Sequence, residues 1–184
     1  LETRKNMVKN EREIRHEIVV EACHQMMTAA RTAPKAKGID IVEIALVSER
    51  ADLEALATAM QHRAETSGMK FLLRDADNVL QSEAVVLIGT KRQTLGLNCE
   101  YCGAKSCEAN PERVPCVFNS VDVGIAIGSA CAAAADRRLD TRVMFSVGWS
   151  AQDLQWMPEG CSQVLGIVVS ASSKSPYFDR KPKE

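Results

Sequence analysis

Four of the seven cysteines in this 184-residue chain lie in one short polar stretch. Their spacing reads Cys99-x2-Cys102-x4-Cys107-x8-Cys116. A C-x2-C pair lets two sulfurs reach one metal centre, and Gly103, directly after the pair, permits the tight turn that this requires. Four thiolates need a cation because their negative charges repel one another. We therefore predict an all-cysteine metal centre in the loop 98–116.

The spacing does not decide which metal the loop holds. Structural zinc sites often use two C-x-x-C pairs, of which the loop has one, and bacterial ferredoxin runs have shorter gaps. Iron–sulfur and zinc therefore stay open as alternatives. The chain's three histidines fall on predicted helices and outside the loop: His16, His24 and His62. A disulfide framework is disfavoured, because the number of cysteines is odd and we expect a reducing compartment.

The composition restricts the classes of partner. The net charge is −1, and 46% of residues are hydrophobic and 26% charged, as in a soluble globular protein that binds neither nucleic acid nor an anionic membrane. We see no apolar run that approaches the ~20 residues of a transmembrane helix. The charged N-terminal segment is not a secretory signal, so we expect a cytoplasmic protein. We also expect Met7 to be the native start and residues 1–6 to be a preceding remnant.

Helix and strand patterns alternate along most of the chain. The helix patterns cover residues 11–30, 49–66, 75–81 and 117–138, and the strand patterns cover 41–48, 84–90, 142–148 and 163–170. The run 84–90 is apolar throughout, which is typical of a strand buried on both faces. We predict one α/β (α+β) domain over residues 7–184. Its helices pack on a mixed sheet of about four strands, and the cysteine loop is inserted before the long helix.

The predicted helix after the loop has a face without large side chains. Gly124, Gly128 and Ala132 recur there at every fourth residue. Glycine costs ~1 kcal/mol in a helix interior, so the pattern indicates that something approaches this face closely. Tight packing against the sheet or another subunit is favoured over contact with a cofactor.

The remaining reactive residue types have simpler interpretations. The three cysteines outside the loop are predicted to act as small hydrophobes: Cys23, Cys131 and Cys161. No general acid or base stands out among the aspartates of interest: Asp75, Asp77, Asp122 and Asp136. Salt bridges are the favoured interpretation of each, with these arginines as partners: Arg74, Arg137 and Arg138.

Several segments together resemble a known family. They are AARTAPKAKGID, FLLRDADNV, the cysteine run, VFNSVDVGIAIGSACAAAADRRLDTRVMFSVG and SPYFDR. From Met7 onward the chain resembles the uncharacterised prokaryotic family described as containing a ferredoxin domain. The resemblance implies an iron–sulfur cluster of the 4Fe–4S type, ligated by Cys99, Cys102, Cys107 and Cys116. It favours iron over zinc, and Lys105 and Arg113 would then stabilise the anionic cluster.

The order of elements is also similar to the flavin-dependent nitroreductase fold. That resemblance implies an intertwined homodimer and a loop of the type A-P-S-x-x-N that contacts flavin mononucleotide (FMN). Lys35 replaces the serine of that loop, and only Arg12 and Arg15 stand where such proteins have an arginine-rich N-terminal segment. The flavin contacts that the resemblance implies are Arg31, Pro34, Lys35, Lys174 and Arg180.

Two functional classes follow. In the first, the protein is a ferredoxin-type electron carrier with a 4Fe–4S cluster, extending to a nitroreductase-like oxidoreductase if FMN is also bound. Its expected partners are a second copy of the chain and a redox protein. In the second, the loop is a structural zinc site on an α/β binding protein without redox activity.

Overall fold

The structure is a computed structural model that describes residues 8–178 of the chain. Within this range the chain forms five α-helices and four β-strands. In chain order they are α1 (Glu11–Thr32), β1 (Val42–Val47), α2 (Arg50–Ser67), α3 (Phe71–Leu80), β2 (Ala84–Lys91), α4 (Val117–Asp136), β3 (Asp140–Met144), α5 (Phe145–Asp153) and β4 (Cys161–Ser170). A short 3₁₀ turn, Ala36–Gly38, lies between α1 and β1. The α/β class is as predicted, whereas the prediction of one domain over residues 7–184 extends beyond the described range and stays a prediction.

The four strands form one sheet in the order β1-β2-β4-β3. Each neighbouring pair is antiparallel, so the prediction of a mixed sheet is wrong. Two helices, α2 and α3, connect β1 to β2. Because the chain reverses direction at each element, two helices between the strands make β2 antiparallel to β1. The strands β2 and β3 run in the same direction, but β4 lies between them and opposes both.

Helices cover both faces of the sheet. Alternate side chains of β2 enter different cores, with Val86 and Ile88 packed beneath α1 and α4 and with Val85 and Leu87 packed beneath α2, α3 and α5. Successive side chains of a strand point to opposite faces. Residues 84–90 are all buried, which confirms the prediction of a strand covered on both sides.

Helix α1 begins and ends where local chemistry favours it. The side chain of Asn10 accepts a hydrogen bond from the backbone N–H of Arg12, which satisfies one of the free donors of the first turn. The helix ends at Thr32, two residues before Pro34, because a proline disfavours helical backbone in the residue before it.

The predicted strand over residues 142–148 is wrong in its second half. Strand β3 ends at Met144, and Phe145 begins α5. A Cβ at Gly148 would lie 1.8 Å from the carbonyl oxygen of Val164, so α5 packs backbone to backbone against β4. This close tertiary approach outweighs the β propensity of the Val and Phe side chains.

Helix α4 is long and apolar enough to cross a membrane by length and composition, with a mean hydropathy of 1.5 over 18 residues, so the prediction that no apolar run approaches transmembrane length is wrong. Its inner side packs on α1 and on the sheet, through residues that include Val123, Ala126 and Ala130. A core helix of this kind meets the same length and hydropathy criteria.

Candidate metal centre

The segment between β2 and α4 carries the four clustered cysteines. It leaves the sheet after Lys91 and reaches Cys116 without a helix or a strand, and α4 begins at the next residue. All seven cysteines of the chain are free thiols, so no disulfide framework forms. The structure places this segment where the sequence predicted an inserted loop, directly before the long helix.

The four loop thiols line one small enclosed cavity of about 10 Å³. Its walls include Leu95, Leu97, Cys99, Cys102, Cys107, Cys116 and Phe118. Cys116 is 7% exposed and the other three cysteines are half-buried, so the cavity lies just beneath the surface. Such a volume matches about one water molecule. A larger metal group requires the thiols to separate, which a segment without helix or strand permits.

No single-ion site accompanies the cavity. Among residues 8–178, no group of three or more His, Cys, Asp or Glu side chains is arranged to hold a metal ion. The histidines lie on α1 and α2, as predicted, and contribute nothing to the cysteine segment. The metal-ligating side chains in the lining of the cavity are therefore the four cysteines and Glu100.

The backbone of the segment turns sharply around the thiols. Asn98, Glu100 and Gly103 have left-handed φ angles of 48°, 61° and 85°. Left-handed residues among ordinary ones can direct successive backbone N–H groups into one concavity, an arrangement that binds anions and occurs at many iron–sulfur sites. The backbone N–H of Asn98 donates to Cys107 Sγ at 3.3 Å, and Asn98 Oδ1 accepts from the Cys107 N–H at 2.8 Å. These two bonds hold Cys107 beside the start of the segment.

A small apolar cluster supports the cavity from below. Ile41, Leu95 and Cys116 are buried together, and Phe118 packs against them. The ring of Tyr101 stacks on that of Phe118 with 6.0 Å between the ring centroids, yet Tyr101 is 75% exposed to solvent. The cysteine segment is thus joined to the loop before β1 and to the first turn of α4.

Two buried polar residues on the first turns of α4 complete this support. Asn119 exchanges hydrogen bonds with the backbone of Gln93, its Oδ1 accepting at 3.4 Å and its Nδ2 donating at 3.0 Å. The carboxylate of Asp122 accepts from the N–H of Ala36 at 3.1 Å, and burial raises its pKa. The sequence analysis did not predict either role. Cys116, Asn119 and Asp122 follow one another at intervals of three residues, and this spacing could have indicated that they share one face of the helix.

One of the four predicted aspartate salt bridges is present in the structure. Asp75 is buried and accepts from Arg74 at 2.7 Å, as predicted, and it also accepts from Ser146 Oγ at 2.7 Å. The salt bridges predicted for Asp77, Asp122 and Asp136 do not form among the described residues, and Asp122 instead accepts from the Ala36 backbone N–H.

Three of the predicted flavin contacts lie together at the end of α1. Arg31 donates to Asp40 and to the carbonyl of Val42, both at 2.7 Å. Lys35 Nζ donates to the carbonyls of Ala30, Arg31 and Ala33 and so caps α1. Pro34 lies between these two cations. Both cations are therefore occupied by bonds within the chain.

The remaining flavin candidates lie elsewhere. Lys174 is exposed and follows the C-terminal end of β4, whereas Arg31 and Lys35 precede β1. The register places the start of β1 beside the end of β2 and the start of β4, so Lys174 lies at the opposite end of the sheet. Arg180 lies outside the described residues. One chain thus does not bring the described candidates into a single phosphate site, and the flavin contacts stay a prediction.

The three cysteines outside the segment contact the hydrophobic cores, Cys23 as a buried member and Cys131 and Cys161 as partly buried neighbours. Burial raises the pKa of Cys23 to about 12 and that of Cys161 to about 11, and it also raises the pKa of Cys131. Cys23 packs in the core under α1. Cys23 and Cys161 are therefore protonated at neutral pH, which fits their predicted role as small hydrophobes.

The outer face of α4 is apolar and uncovered. Val121 and Ile125 are 41% and 40% exposed, and Gly124 and Gly128 are also exposed. A Cβ at either glycine would meet nothing within 4 Å. The predicted tight packing of these glycines against the sheet is therefore wrong, and packing against another subunit stays a prediction.

Comparisons with known proteins agree with this fold. An uncharacterized protein of Archaeoglobus fulgidus is 40% identical over 188 residues, which cover 97% of this chain and 100% of that protein. A putative NADH dehydrogenase/NAD(P)H nitroreductase of Bacteroides thetaiotaomicron superposes with a TM-score of 0.56 at 16% identity, over 89% of this chain and 78% of its own. An NADPH:FMN oxidoreductase of Vibrio harveyi in complex with NAD+ gives a TM-score of 0.58 at 16% identity, over 89% of this chain and 63% of its own.

The structural likenesses show the fold alone, because their identities are low. Residues 112–180 match the family described as "Uncharacterized protein containing a ferredoxin domain (DUF2148)". That stretch includes Cys116 and begins after the other three loop cysteines. With the archaeal relative matching over its full length, the chain belongs to this family of uncharacterized proteins that contain a ferredoxin domain, and it has the nitroreductase fold.

Proposed function

We propose that this protein is a ferredoxin-type redox protein that holds a 4Fe–4S cluster on Cys99, Cys102, Cys107 and Cys116. The observation that carries the proposal is the convergence of these four thiols on one cavity, whose lining has Glu100 as its one other metal-ligating side chain. Iron–sulfur clusters are held by four cysteine thiolates. The family description, which names a ferredoxin domain, supports the same reading.

The family description favours a cluster over a single zinc ion, because it names a ferredoxin domain. Zinc would hold all four sulfurs around one ion. In a 4Fe–4S cluster each thiolate binds a different iron at a corner of the cube, so the cluster requires the wider separation of the four thiols.

The protein surroundings suit an anionic centre. The Asn98 N–H already donates to the sulfur of Cys107 at 3.3 Å, and such bonds raise the potential of a cluster. Cys116 immediately precedes the 20-residue helix α4, whose N-terminal partial positive charge favours an anionic sulfur. Lys105 and Arg113 are exposed on the same segment and add positive charge at longer range.

When bound, the cluster would supply one-electron transfer. The chain's own residues would position it and limit its contact with water. Leu95 is 3% exposed and lines the cavity together with Phe118, on which the exposed ring of Tyr101 stacks. A redox partner protein would approach the centre from the exposed surface beside Tyr101.

We further propose that the protein acts in the cytoplasm as a homodimer formed through the outer face of α4. A reducing compartment suits seven free thiols. The bare glycines and the exposed Val121 and Ile125 would let a second helix approach closely. If FMN is also bound, a second copy must supply part of its site, because Lys174 lies far from Arg31 and Lys35 within one chain.

The first experiment is metal and sulfide analysis, with an absorption spectrum, of protein purified without oxygen. We expect about four irons and four sulfides per chain and a broad band near 400 nm, as for a 4Fe–4S cluster. One zinc and no colour would instead support the structural zinc protein. FMN would add two resolved visible bands and would be released by denaturation.

The dimer is tested separately by analytical ultracentrifugation. The wild-type chain should sediment with twice the mass of one chain, and Ile125→Asp should sediment as a monomer because a charge on the apolar face opposes its burial. Asp136→Asn, at the end of the same helix, is the matched control and should leave the mass unchanged. A wild-type monomer would contradict the proposed dimer.

A further inference from the structure

A second and much larger cavity opens beside the cysteine segment. It has a volume of about 600 Å³ and lies between the end of β2, the last part of the cysteine segment and the turn that begins β4. Its lining includes Arg92, Gln93, Asn110, Cys116, Gln152 and Cys161. A further cavity of about 530 Å³ shares Gln152, Gly160 and Cys161 with it. We refer to the first cavity as the β2–β4 cleft, and its volume is in the range of small-molecule sites.

One cysteine joins the cleft to the candidate metal centre. Cys116 lines both the β2–β4 cleft and the small cavity of the four thiols. No other residue is common to the two linings. A molecule in the cleft would therefore contact the side chain that separates it from the centre.

The lining of the cleft has a defined chemistry. Arg92 is exposed, and its one hydrogen bond among the described residues goes from Nη1 to the carbonyl oxygen of Glu112 at 3.1 Å. Its other guanidinium N–H groups remain available, and a guanidinium binds carboxylates and phosphates in a two-pronged manner. The carboxylate of Glu112 is the only acidic side chain in the lining.

Asn110 supplies an acceptor in the same cleft. Its Nδ2 donates to the carbonyl of Val114 at 2.8 Å, whereas its Oδ1 is buried and accepts no hydrogen bond from the described residues. Buried polar atoms without a partner are uncommon in folded proteins and call for one. As placed, the oxygen is closed off from the cleft, so a ligand N–H or O–H would donate to it after a shift of the Asn110 side chain.

We propose that the β2–β4 cleft binds a small organic anion, a carboxylate or phosphate ester that also carries hydroxyl or amide hydrogen-bond donors. Arg92 pairs with the anionic group, Asn110 Oδ1 accepts from the donor, and the ligand lies against Cys116. Electron transfer between the cluster and a ligand at Cys116 rests on the proposed function, whereas binding of the ligand does not require the cluster. The protein would then have a small-molecule substrate site next to its electron carrier.

The test uses Cys161 as a reporter, because its thiol lines the cleft and lies outside the proposed ligand set. The protein is purified without oxygen, and the rates at which iodoacetate and iodoacetamide alkylate Cys161 are measured by peptide mass spectrometry. The first reagent is an anion and the second is its neutral analogue. Arg92→Gln should lower the ratio of the two rates by about three- to tenfold. Arg113→Gln is the matched control, because this exposed arginine of the same segment is absent from the cleft lining, and it should leave the ratio unchanged.

Citrate and inorganic phosphate then serve as competing anions. Both should slow alkylation of Cys161 by the neutral reagent in the wild type, and less so in Arg92→Gln. Equal rate ratios in all three proteins would overturn the proposal, and so would a lowered ratio without protection by either anion. Iron analysis of the same samples separates the two proposals. Protection that depends on Arg92 in a protein without iron would retain the binding site and reject the cluster.

Discussion

The seven cysteines occupy two contrasting regions of the molecule. Three of them lie on helices or strands of the packed fold, where burial raises their pKa and keeps the sulfur neutral. Four lie in a segment without helix or strand and face one cavity, near a helix N-terminus and a backbone N–H that donates to sulfur. The same side chain therefore serves as a small hydrophobe in one region and as a metal-ligand candidate in the other. The surroundings of each sulfur decide between the two roles.

The largest expected effect comes from removing a ligand. Cys102→Ala should lose the cluster and destabilise the segment by several kcal/mol, because metal binding is coupled to the folding of a loop with little structure of its own. Iron content and the melting temperature of protein prepared without oxygen measure this. Full iron content together with an unchanged melting temperature would show that Cys102 is not a ligand.

The matched control is Cys23→Ala, the same substitution in the packed region. It removes a buried sulfur from the core under α1 and should cost about 1–2 kcal/mol of folding stability. Its iron content should equal that of the wild type. Loss of iron in this variant would mean that the two regions are not independent.

The buried thiol of Cys23 should also make folding stability depend on pH in the alkaline range. The pKa of Cys23 is raised to about 12, against ~8.5 for an unfolded thiol. Below pH ~8.5 the Cys23 thiol is protonated in both the folded and the unfolded protein, and its full contribution to folding stability is present. Above that pH the thiol ionises in the unfolded protein first, so folding stability falls until the pH passes the pKa of the folded state. By pH 10 this thiol alone should lower the free energy of unfolding by about 2 kcal/mol. Urea denaturation at pH 8 and pH 10 should therefore show a smaller loss in Cys23→Ala than in the wild type, and equal losses would refute the buried neutral thiol.

Two glycines provide a smaller and more specific comparison. A Cβ at Gly103 or at Gly124 would meet nothing within 4 Å, but only Gly103 has a left-handed φ, of 85°. Gly103→Ala should therefore cost about 1–2 kcal/mol of backbone strain in the metal-loaded protein. Gly124→Ala should stabilise the monomer by about 0.5–1 kcal/mol, since alanine favours a helix. Thermal unfolding of both variants measures the difference, and equal shifts would exclude a backbone role for Gly103.

The smallest expected effect concerns one hydrogen bond at the cavity. Asn98→Gly keeps the left-handed backbone and removes only the side-chain acceptor for the Cys107 N–H. Iron should be released to a chelator about two- to fivefold faster, as expected for the loss of one hydrogen bond of about 0.5–1 kcal/mol. A release rate equal to that of the wild type would mean that Asn98 does not hold Cys107 in place.

The fold was predictable from local patterns where those patterns were long. The continuous apolar run of β2 and the helical periodicity of α1 and α2 led to elements within two residues of those observed. The error at 142–148 arose because the turn at Phe145 depends on the approach of α5 to β4 at Gly148, a contact between distant segments. Strand direction was also beyond local patterns, because it depends on how many helices cross back between strands and on where β4 inserts.

For the candidate site, the sequence by itself determined the donor type, the number of clustered thiols and their place before a long helix. These features follow from residue identity and spacing along the chain. Only the tertiary structure decided that all four thiols face one cavity, that Asn119 and Asp122 tie α4 to two other segments, and that Arg31 and Lys35 are occupied internally. It also revealed the β2–β4 cleft, whose walls come from parts of the chain up to 70 residues apart. Spacing limits what a short segment can reach, whereas a cavity between segments exists only once the sheet and helices have brought them together.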